Sequence, residues 1–257
     1  DKGFVLPFEA VNLSAVDVII TKIFGNNVSQ FLQVNNLEEN MELTRVGKVL
    51  LRKTVQLDNS GAFSLHNWNR FSIDLNDIIR NDPEAIYNVK IGFRKSYSLY
   101  SCTKTENSED ENQENNSVSD DNPNDPSFWD FYQNYYSDYY DWEHLEDPCY
   151  KTYFGDRRSV SKNIFASDIG IIAKRGRDGN TRFITTNILT AKPMSGVKIT
   201  VLDYQKQLLA ELETDSDGFA ETKIDDKPFV AIADYEGQKG YLKMDDGSSL
   251  SLSRFDI

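Results

Sequence analysis

The sequence predicts an all-β protein built of two tandem antiparallel β-sandwiches of the fibronectin type III or immunoglobulin-like class. Apolar and polar residues alternate in many short runs, and one such run places Val197, Ile199 and Val201 on the same face of a strand. Turn signals separate these runs at intervals of about ten residues, which is typical of β-sandwiches. The chain has 257 residues, whereas one sandwich needs about 100, so we expect two hydrophobic cores.

The first predicted domain, residues 1–167, begins with apolar, β-branched sequence in which Val16, Val18 and Ile20 share one face. Residues 28–37 fit neither the strand period nor the helix period cleanly, so this segment is predicted to be either a strand or a short helix. The other strands of this domain are predicted at residues 46–57, 71–75, 87–93, 97–100 and 160–165.

The second predicted domain, residues 168–257, follows a junction near Ser167, where a short linker is expected to restrict rotation between the domains. Two turn signals in series, at residues 203–207 and 214–220, predict two consecutive hairpins, because Asp and Gly supply the positive φ angles of tight turns. The strands of this domain are predicted at residues 169–173, 182–189, 197–203, 208–213, 229–233 and 240–244.

Composition excludes several classes of protein. A net charge of −13 argues against nucleic-acid binding, which requires clustered Lys and Arg. No apolar run approaches the roughly 20 residues that span a bilayer, so we expect no membrane contact by this chain. The chain begins at Asp1 without a signal peptide, which indicates a mature protein or an excised piece of a longer one.

An acidic insertion at about residues 103–148 interrupts the first domain. Residues 106–147 contain about fourteen acidic side chains and neither Lys nor Arg, and residues 107–124 are too polar to order themselves. The second half of the insertion is rich in aromatic residues, which either cover the sandwich of the same chain or form a surface for a partner. The residues of this candidate interaction surface are Phe128, Trp129, Phe131, Tyr132, Tyr135, Tyr136, Tyr139, Tyr140 and Trp142.

The only two cysteines, Cys102 and Cys149, lie at the two ends of the insertion. An even number of cysteines at such positions favours a disulfide formed in an oxidising compartment. Closing a loop of this length stabilises a fold by about 3–4 kcal/mol where the geometry allows it. The alternative is two unrelated buried thiols.

The sequence offers no convincing reaction centre or metal site. His66 and His144 have no ligand partner at a suitable spacing, so we read both as structural and expect no zinc. Residues 215–218 copy the opening of a calcium loop, but Asp226 occupies the twelfth position, where that loop carries Glu. Neither a nucleophile elbow nor a phosphate loop is present. We therefore predict a protein without cofactors that is not an enzyme.

Four segments, residues 166–174, 191–197, 214–220 and 245–252, resemble in their order the macroglobulin-type domains of bacterial alpha-2-macroglobulins. The resemblance covers the second domain well and the first more loosely. It implies a large envelope protein, periplasmic or associated with the outer membrane and often lipid-anchored, that traps proteases once they cut a bait segment. The partners it implies are neighbouring macroglobulin domains of the same chain and, for the parent protein, the target proteases.

Members of this family often carry a thioester in a Cys-x-Glu-Gln motif, which is absent here because Thr103 to Thr105 follow Cys102 and Tyr150 to Thr152 follow Cys149. We therefore interpret the chain as a scaffold fragment of a protease-trapping protein. The alternative is a cell-surface adhesion or glycan-binding module that uses the aromatic insertion. A further hypothesis makes the insertion itself the protease bait.

Overall fold

The structure is a computed structural model that describes residues 3–58, 64–80, 82–102, 143–150, 153–154 and 158–244. Strands dominate these ranges, which confirms the all-β fold class. The elements in chain order are β1 (Val5–Ala10), β2 (Ala15–Ile23), α1 (Val28–Leu32), β3 (Gly47–Gln56), β4 (Asn69–Asp74), α2 (Asn76–Arg80), β5 (Ile86–Gly92), β6 (Val160–Phe165), β7 (Ile169–Arg175), β8 (Asn180–Asn187), β9 (Lys198–Leu202), β10 (Leu208–Glu213), β11 (Phe219–Lys223), β12 (Val230–Tyr235) and β13 (Gln238–Lys243). No helix within the described ranges is long and apolar enough to span a bilayer.

The chain forms two compact units that are not continuous in sequence. The second unit comprises Phe24–Met41, residues 81–86 and the chain from Phe165 onward, while the remainder forms the first unit. The chain therefore passes between the units five times, after residues 23, 41, 80, 86 and 164. Two segments from the first half of the sequence are thus part of the unit that contains the C-terminal third.

The first unit contains a four-stranded sheet in the order β3-β2-β5-β6 and a two-stranded sheet of β1 and β4. Strand β2 pairs antiparallel with β3, and β1 pairs antiparallel with β4. Val16, Val18 and Ile20 are 2%, 1% and 0% exposed, so the face that the sequence predicts for β2 does belong to the core. Residues 97–100 were expected to form a strand, but Lys95–Tyr97 form a 3-10 turn instead.

A polar cluster joins β2, β3 and the turn after β5 within the first unit. The Arg94 Nε atom lies 2.6 Å from Asp17 Oδ2, and both side chains are largely shielded from solvent. Thr54 and Tyr97 donate hydrogen bonds of 2.7 and 3.0 Å to Asp17 Oδ1. Burial raises the pKa of Tyr97 above its ordinary value. Each polar group of the cluster therefore has a partner in the described structure.

The second unit contains a sandwich of two antiparallel sheets, β10-β9-β12-β13 and β11-β8-β7. Its core lies between the sheets, where Val197, Ile199, Val201 and Phe183 are each 0% exposed. The alternation that predicts one buried face for residues 197–201 is thereby confirmed.

Only the first of the two predicted hairpins is present. Strands β9 and β10 pair antiparallel, and the Asp203 carboxylate accepts a 2.7 Å bond from the Gln207 amide within their turn. The second prediction is wrong, because β10 stays with β9 whereas β11 pairs with β8 in the other sheet. The turn at residues 214–218 therefore carries the chain from one sheet to the other. A tight hairpin that was not predicted joins β12 and β13 through Glu236 and Gly237, both with positive φ.

Candidate functional site

The aromatic interaction surface predicted for the insertion lies outside the described residues. This applies to every member of the set, namely Phe128, Trp129, Phe131, Tyr132, Tyr135, Tyr136, Tyr139, Tyr140 and Trp142. The surface stays a prediction from the sequence, whereas the two ends of the insertion can be described.

A disulfide between Cys102 and Cys149 joins the two ends of the insertion, with the Cα atoms 5.6 Å apart across a sequence separation of 47. The backbone amide of Cys149 donates a 2.9 Å bond to the Asp147 carboxylate, which fixes the chain on the C-terminal side. Neither cysteine is free. The disulfide therefore closes the insertion into a covalent loop on the first unit.

The residues that follow the insertion pack against one another and against the end of β5. The ring of Phe154 meets Phe93 edge to face at 5.9 Å. The Arg158 guanidinium lies 4.2 Å from the centre of the Tyr153 ring, and its Nη2 donates to the Leu145 carbonyl at 3.2 Å. These contacts anchor the C-terminal base of the loop on the first unit.

Two segments that are remote in sequence, Phe24–Met41 and residues 82–86, form a docked layer on the second sandwich. Within this layer Gly25 lies against the Glu84 carbonyl, since a Cβ atom added to the glycine would be 3.1 Å from that oxygen. The Gln33 side-chain amide donates a 2.7 Å bond to the Tyr204 carbonyl. The Lys243 ammonium donates to the Asn35 carbonyl at 3.2 Å. Both segments of the layer are therefore held by polar contacts, to one another and to the sandwich.

The docked layer covers β12 and β13 on the outer face of the sheet β10-β9-β12-β13. Ala231 pairs with Val201 on the core side of this sheet. Because successive residues of a strand face opposite sides, Val230 and Ile232 point outward. Tyr241 is paired with Ile232 and shares that outward face. Nevertheless, Val230 and Tyr241 are only 0% and 8% exposed. Val230 of β12 and Tyr241 of β13 are thus buried on this outer face, whereas no residue of β10 is buried.

The apolar contribution of the layer comes from α1 and from the start of β5. The buried side chains are Val28, Phe31, Leu32, Ala85 and Ile86, which are 0% to 2% exposed. The sequence of residues 28–37 did not distinguish a strand from a helix. The reason is that a five-residue helix with most of its surface buried shows no amphipathic period.

Polar contacts at β13 fix the layer in place. The Lys239 ammonium lies 2.7 Å from Glu84 Oε2, and the Tyr241 hydroxyl donates to the Glu84 carbonyl at 3.2 Å. Burial raises the pKa of Tyr241 well above its ordinary value, and the negative charges of Glu84, Asp234 and Asp82 add to the effect. Tyr241 is therefore held in its neutral, hydrogen-donating form over the physiological pH range.

Two buried threonines join the sheets of the second sandwich near the crossover turn. Thr214 Oγ1 donates to the Met194 carbonyl at 2.7 Å and accepts from the Val197 amide at 3.0 Å. Thr185 Oγ1 donates to the same carbonyl at 2.9 Å. Both threonines are almost fully buried. These bonds connect β8 of one sheet with the turn that follows β10 of the other.

The histidines and the Asp215 carboxylate, which the sequence analysis considered as possible metal ligands, make structural contacts. His66 Nδ1 lies 2.9 Å from Asn12 Oδ1, and His144 stacks on Tyr150 at 3.7 Å. The Asp215 carboxylate accepts the amides of Asp217 and Phe219 at 2.9 Å each, so it closes its own turn. Among the described residues no group of three or more potential ligands is close enough to hold a metal ion.

Comparison with known proteins finds a family match in the C-terminal third of the chain. Residues 166–257 match the family model of the bacterial alpha-2-macroglobulin MG3 domain. The family resemblance carried by the sequence motifs is thereby confirmed for this part of the chain. No curated protein is significantly similar in sequence.

Solved structures of bacterial alpha-2-macroglobulins share the fold. The native Escherichia coli protein spanning domains NIE-MG1 is 14% identical, with a TM-score of 0.51 over 93% of this chain and 88% of that chain. The longer piece spanning MG0-NIE-MG1 is 14% identical, with a TM-score of 0.49 over 94% of this chain and 58% of that chain. A mutant Salmonella alpha-2-macroglobulin is 16% identical, with a TM-score of 0.48, and this chain spans 11% of its length. At such identities the likeness concerns the fold alone.

Proposed function

We propose that this chain, whose residues 166–257 match the MG3 domain of bacterial alpha-2-macroglobulins, is a non-catalytic scaffold section of a protein that traps proteases after bait cleavage. That match is the observation that carries the proposal. The fold supports it, because the contacts of the docked layer and of the buried threonines join sheets and chain segments to one another. The role assigned to the chain is mechanical.

We assign residues 1–167 to a first macroglobulin-like sandwich, with its insertion at about residues 103–148, and residues 168–257 to a second one. The start of the family match at residue 166 supports this division. The docked layer adds a feature that a simple tandem array lacks, because Phe24–Met41 pack on the sandwich formed by the later sequence.

The proposed location is the periplasm or the outer-membrane-associated cell envelope. The disulfide between Cys102 and Cys149 supports an oxidising compartment. We propose that the parent protein is lipid-anchored, that the partners of this chain are neighbouring macroglobulin domains, and that proteases are the targets of the parent.

Limited proteolysis of the full-length parent tests this function. Several proteases of different specificity are added separately, and compaction is followed by small-angle X-ray scattering while retained protease is measured by size-exclusion chromatography. We expect one early cut, a smaller radius of gyration and co-elution of the protease. A catalytically inactivated protease is the matched control and should produce neither change. Cleavage without compaction and without retained protease would refute the proposal.

A further inference from the structure

We propose that the folded protein stays assembled as two covalently joined pieces when its chain is cut between Cys102 and Cys149. The cut adds one water molecule across one peptide bond, leaving a new carboxylate and a new amine, and does not touch the disulfide. The inference goes beyond the proposed function and does not depend on it.

The topology divides the elements unequally between the two pieces. The piece before the cut supplies β1 to β5 and the docked layer, while the piece after it supplies β6 and the whole second sandwich. Both units therefore contain elements from both pieces. Separation would require each unit to be taken apart.

In the first unit the two pieces meet at the edge of the four-stranded sheet. Strand β6 lies beside β5 in the order β3-β2-β5-β6. The Asn88 side-chain amide donates a 2.8 Å bond to the Asn163 side-chain oxygen, and the two residues are only 2% and 8% exposed. Breaking this pair without water to replace it leaves buried polar groups unsatisfied, which is costly.

In the second unit the two pieces meet beneath the docked layer. Phe31 is 0% exposed, and polar contacts on either side of it connect Gln33 with Tyr204 and Glu84 with Lys239. Lifting the layer would expose Val230 and Tyr241, which are buried on the outer face of the sheet. Loss of this apolar burial opposes dissociation.

The disulfide adds a covalent connection close to the cut. Because Cys102 belongs to the piece before the cut and Cys149 to the piece after it, each piece remains at a high effective concentration around the other. Reassembly after unfolding then does not depend on protein concentration. Reduction converts the nicked protein into two pieces held by non-covalent contacts alone.

A site-specific cut in the full chain tests the inference. The recognition sequence of a sequence-specific protease replaces residues 112–118, which lie between the cysteines. After digestion we expect one species of the intact mass without reductant and two with it on denaturing gels. The circular dichroism spectrum and the size-exclusion volume should match those of the uncut protein. After unfolding in urea and dilution, the oxidised nicked protein should regain its spectrum at every protein concentration.

The double variant Cys102→Ser/Cys149→Ser, cut in the same way, is the matched control. Its pieces should co-elute in native buffer but recover after urea only at high protein concentration, and a tenfold dilution that leaves recovery of the oxidised form unchanged should abolish theirs. Where the variant does not fold, the nicked protein that retains both cysteines is reduced, and its recovery after urea is measured instead. Two results would overturn the inference: separation of the oxidised pieces, or loss of the β spectrum on cutting.

Discussion

The Lys239 ammonium lies 2.7 Å from the Glu84 carboxylate although 155 positions separate the two residues. The lysine is on β13, and the glutamate belongs to the docked layer of the same unit. The side chains are 23% and 43% exposed, so solvent weakens the pair without abolishing it. The contact joins a strand near the C-terminal end to a turn that precedes β5.

A double-mutant cycle at this pair should reveal a small but real coupling. With Glu84→Gln, Lys239→Met and the double variant, we expect a coupling of about 0.5–1 kcal/mol in urea unfolding, decreasing as salt is added. The more exposed pair of Lys223 and Asp225 is the control and should show no measurable coupling. Equal values for the two pairs would mean that the docked layer gives no protection from solvent.

Replacing Tyr241 by Phe should change the response of stability to alkaline pH. Because the folded pKa is raised above the unfolded value of about 10, the tyrosine contributes stability that is fully present below pH 10 and is lost as pH rises toward the folded pKa. Tyr241→Phe removes this loss and also removes the hydrogen bond to Glu84, at a cost of about 1 kcal/mol near pH 7.

The measurement is the free energy of urea unfolding between pH 7 and pH 11. The wild type should lose more stability above pH 10 than Tyr241→Phe does. Tyr204→Phe, at a residue that is 50% exposed, is the control and should follow the wild type. Parallel curves for all three proteins would contradict the buried position of the Tyr241 hydroxyl.

Removing the ring of Phe31 should destabilise the second unit in particular. Phe31 is 0% exposed on α1, and truncation of such a phenylalanine costs about 3–5 kcal/mol. Val34→Ala, at a position that is 41% exposed, should change stability by no more than about 0.5 kcal/mol. Hydrogen exchange monitored by mass spectrometry should show lost protection in β12 and β13. Loss confined to β2 and β3 would show that α1 serves the other unit.

Gly218 and Gly237 offer a comparison at the same φ angle. Both have φ of +77°, but a Cβ atom at Gly218 would lie 2.5 Å from the Thr185 carbonyl, whereas none would meet an atom within 4 Å at Gly237. We expect Gly237→Ala to cost about 1 kcal/mol from the positive φ alone. Gly218→Ala should cost clearly more in thermal unfolding. Equal costs would mean that the crossover turn relaxes freely.

Local pattern is sufficient to predict much of the second sandwich. The alternation around Val197, Ile199 and Val201 identifies a half-buried strand, and the Asp203 turn gives the following hairpin with its correct partner. These features depend on neighbours in sequence, to which period and turn chemistry apply directly. Strand β11 escaped prediction because Ala220 is its one buried residue and an alanine gives little apolar signal.

Local sequence patterns did not predict the contacts between segments that are far apart in the chain. Nothing near residues 214–218 distinguishes a hairpin turn from a crossover, because both need Asp and Gly and only the later pairing of β11 with β8 separates them. The docked layer depends on contacts such as Gln33 with Tyr204, which are 171 positions apart.

The origin of the docked layer in the first half of the chain has a consequence during synthesis. Phe31 leaves the ribosome about 200 residues before Lys243, and at translation rates of about 5–20 residues per second the interval is on the order of 10–40 s. Throughout that interval Val28, Phe31 and Leu32, all fully buried in the finished protein, have no sheet to cover. The nascent polypeptide therefore exposes an aggregation-prone apolar segment for most of its elongation, and added holdase chaperone should raise the soluble yield.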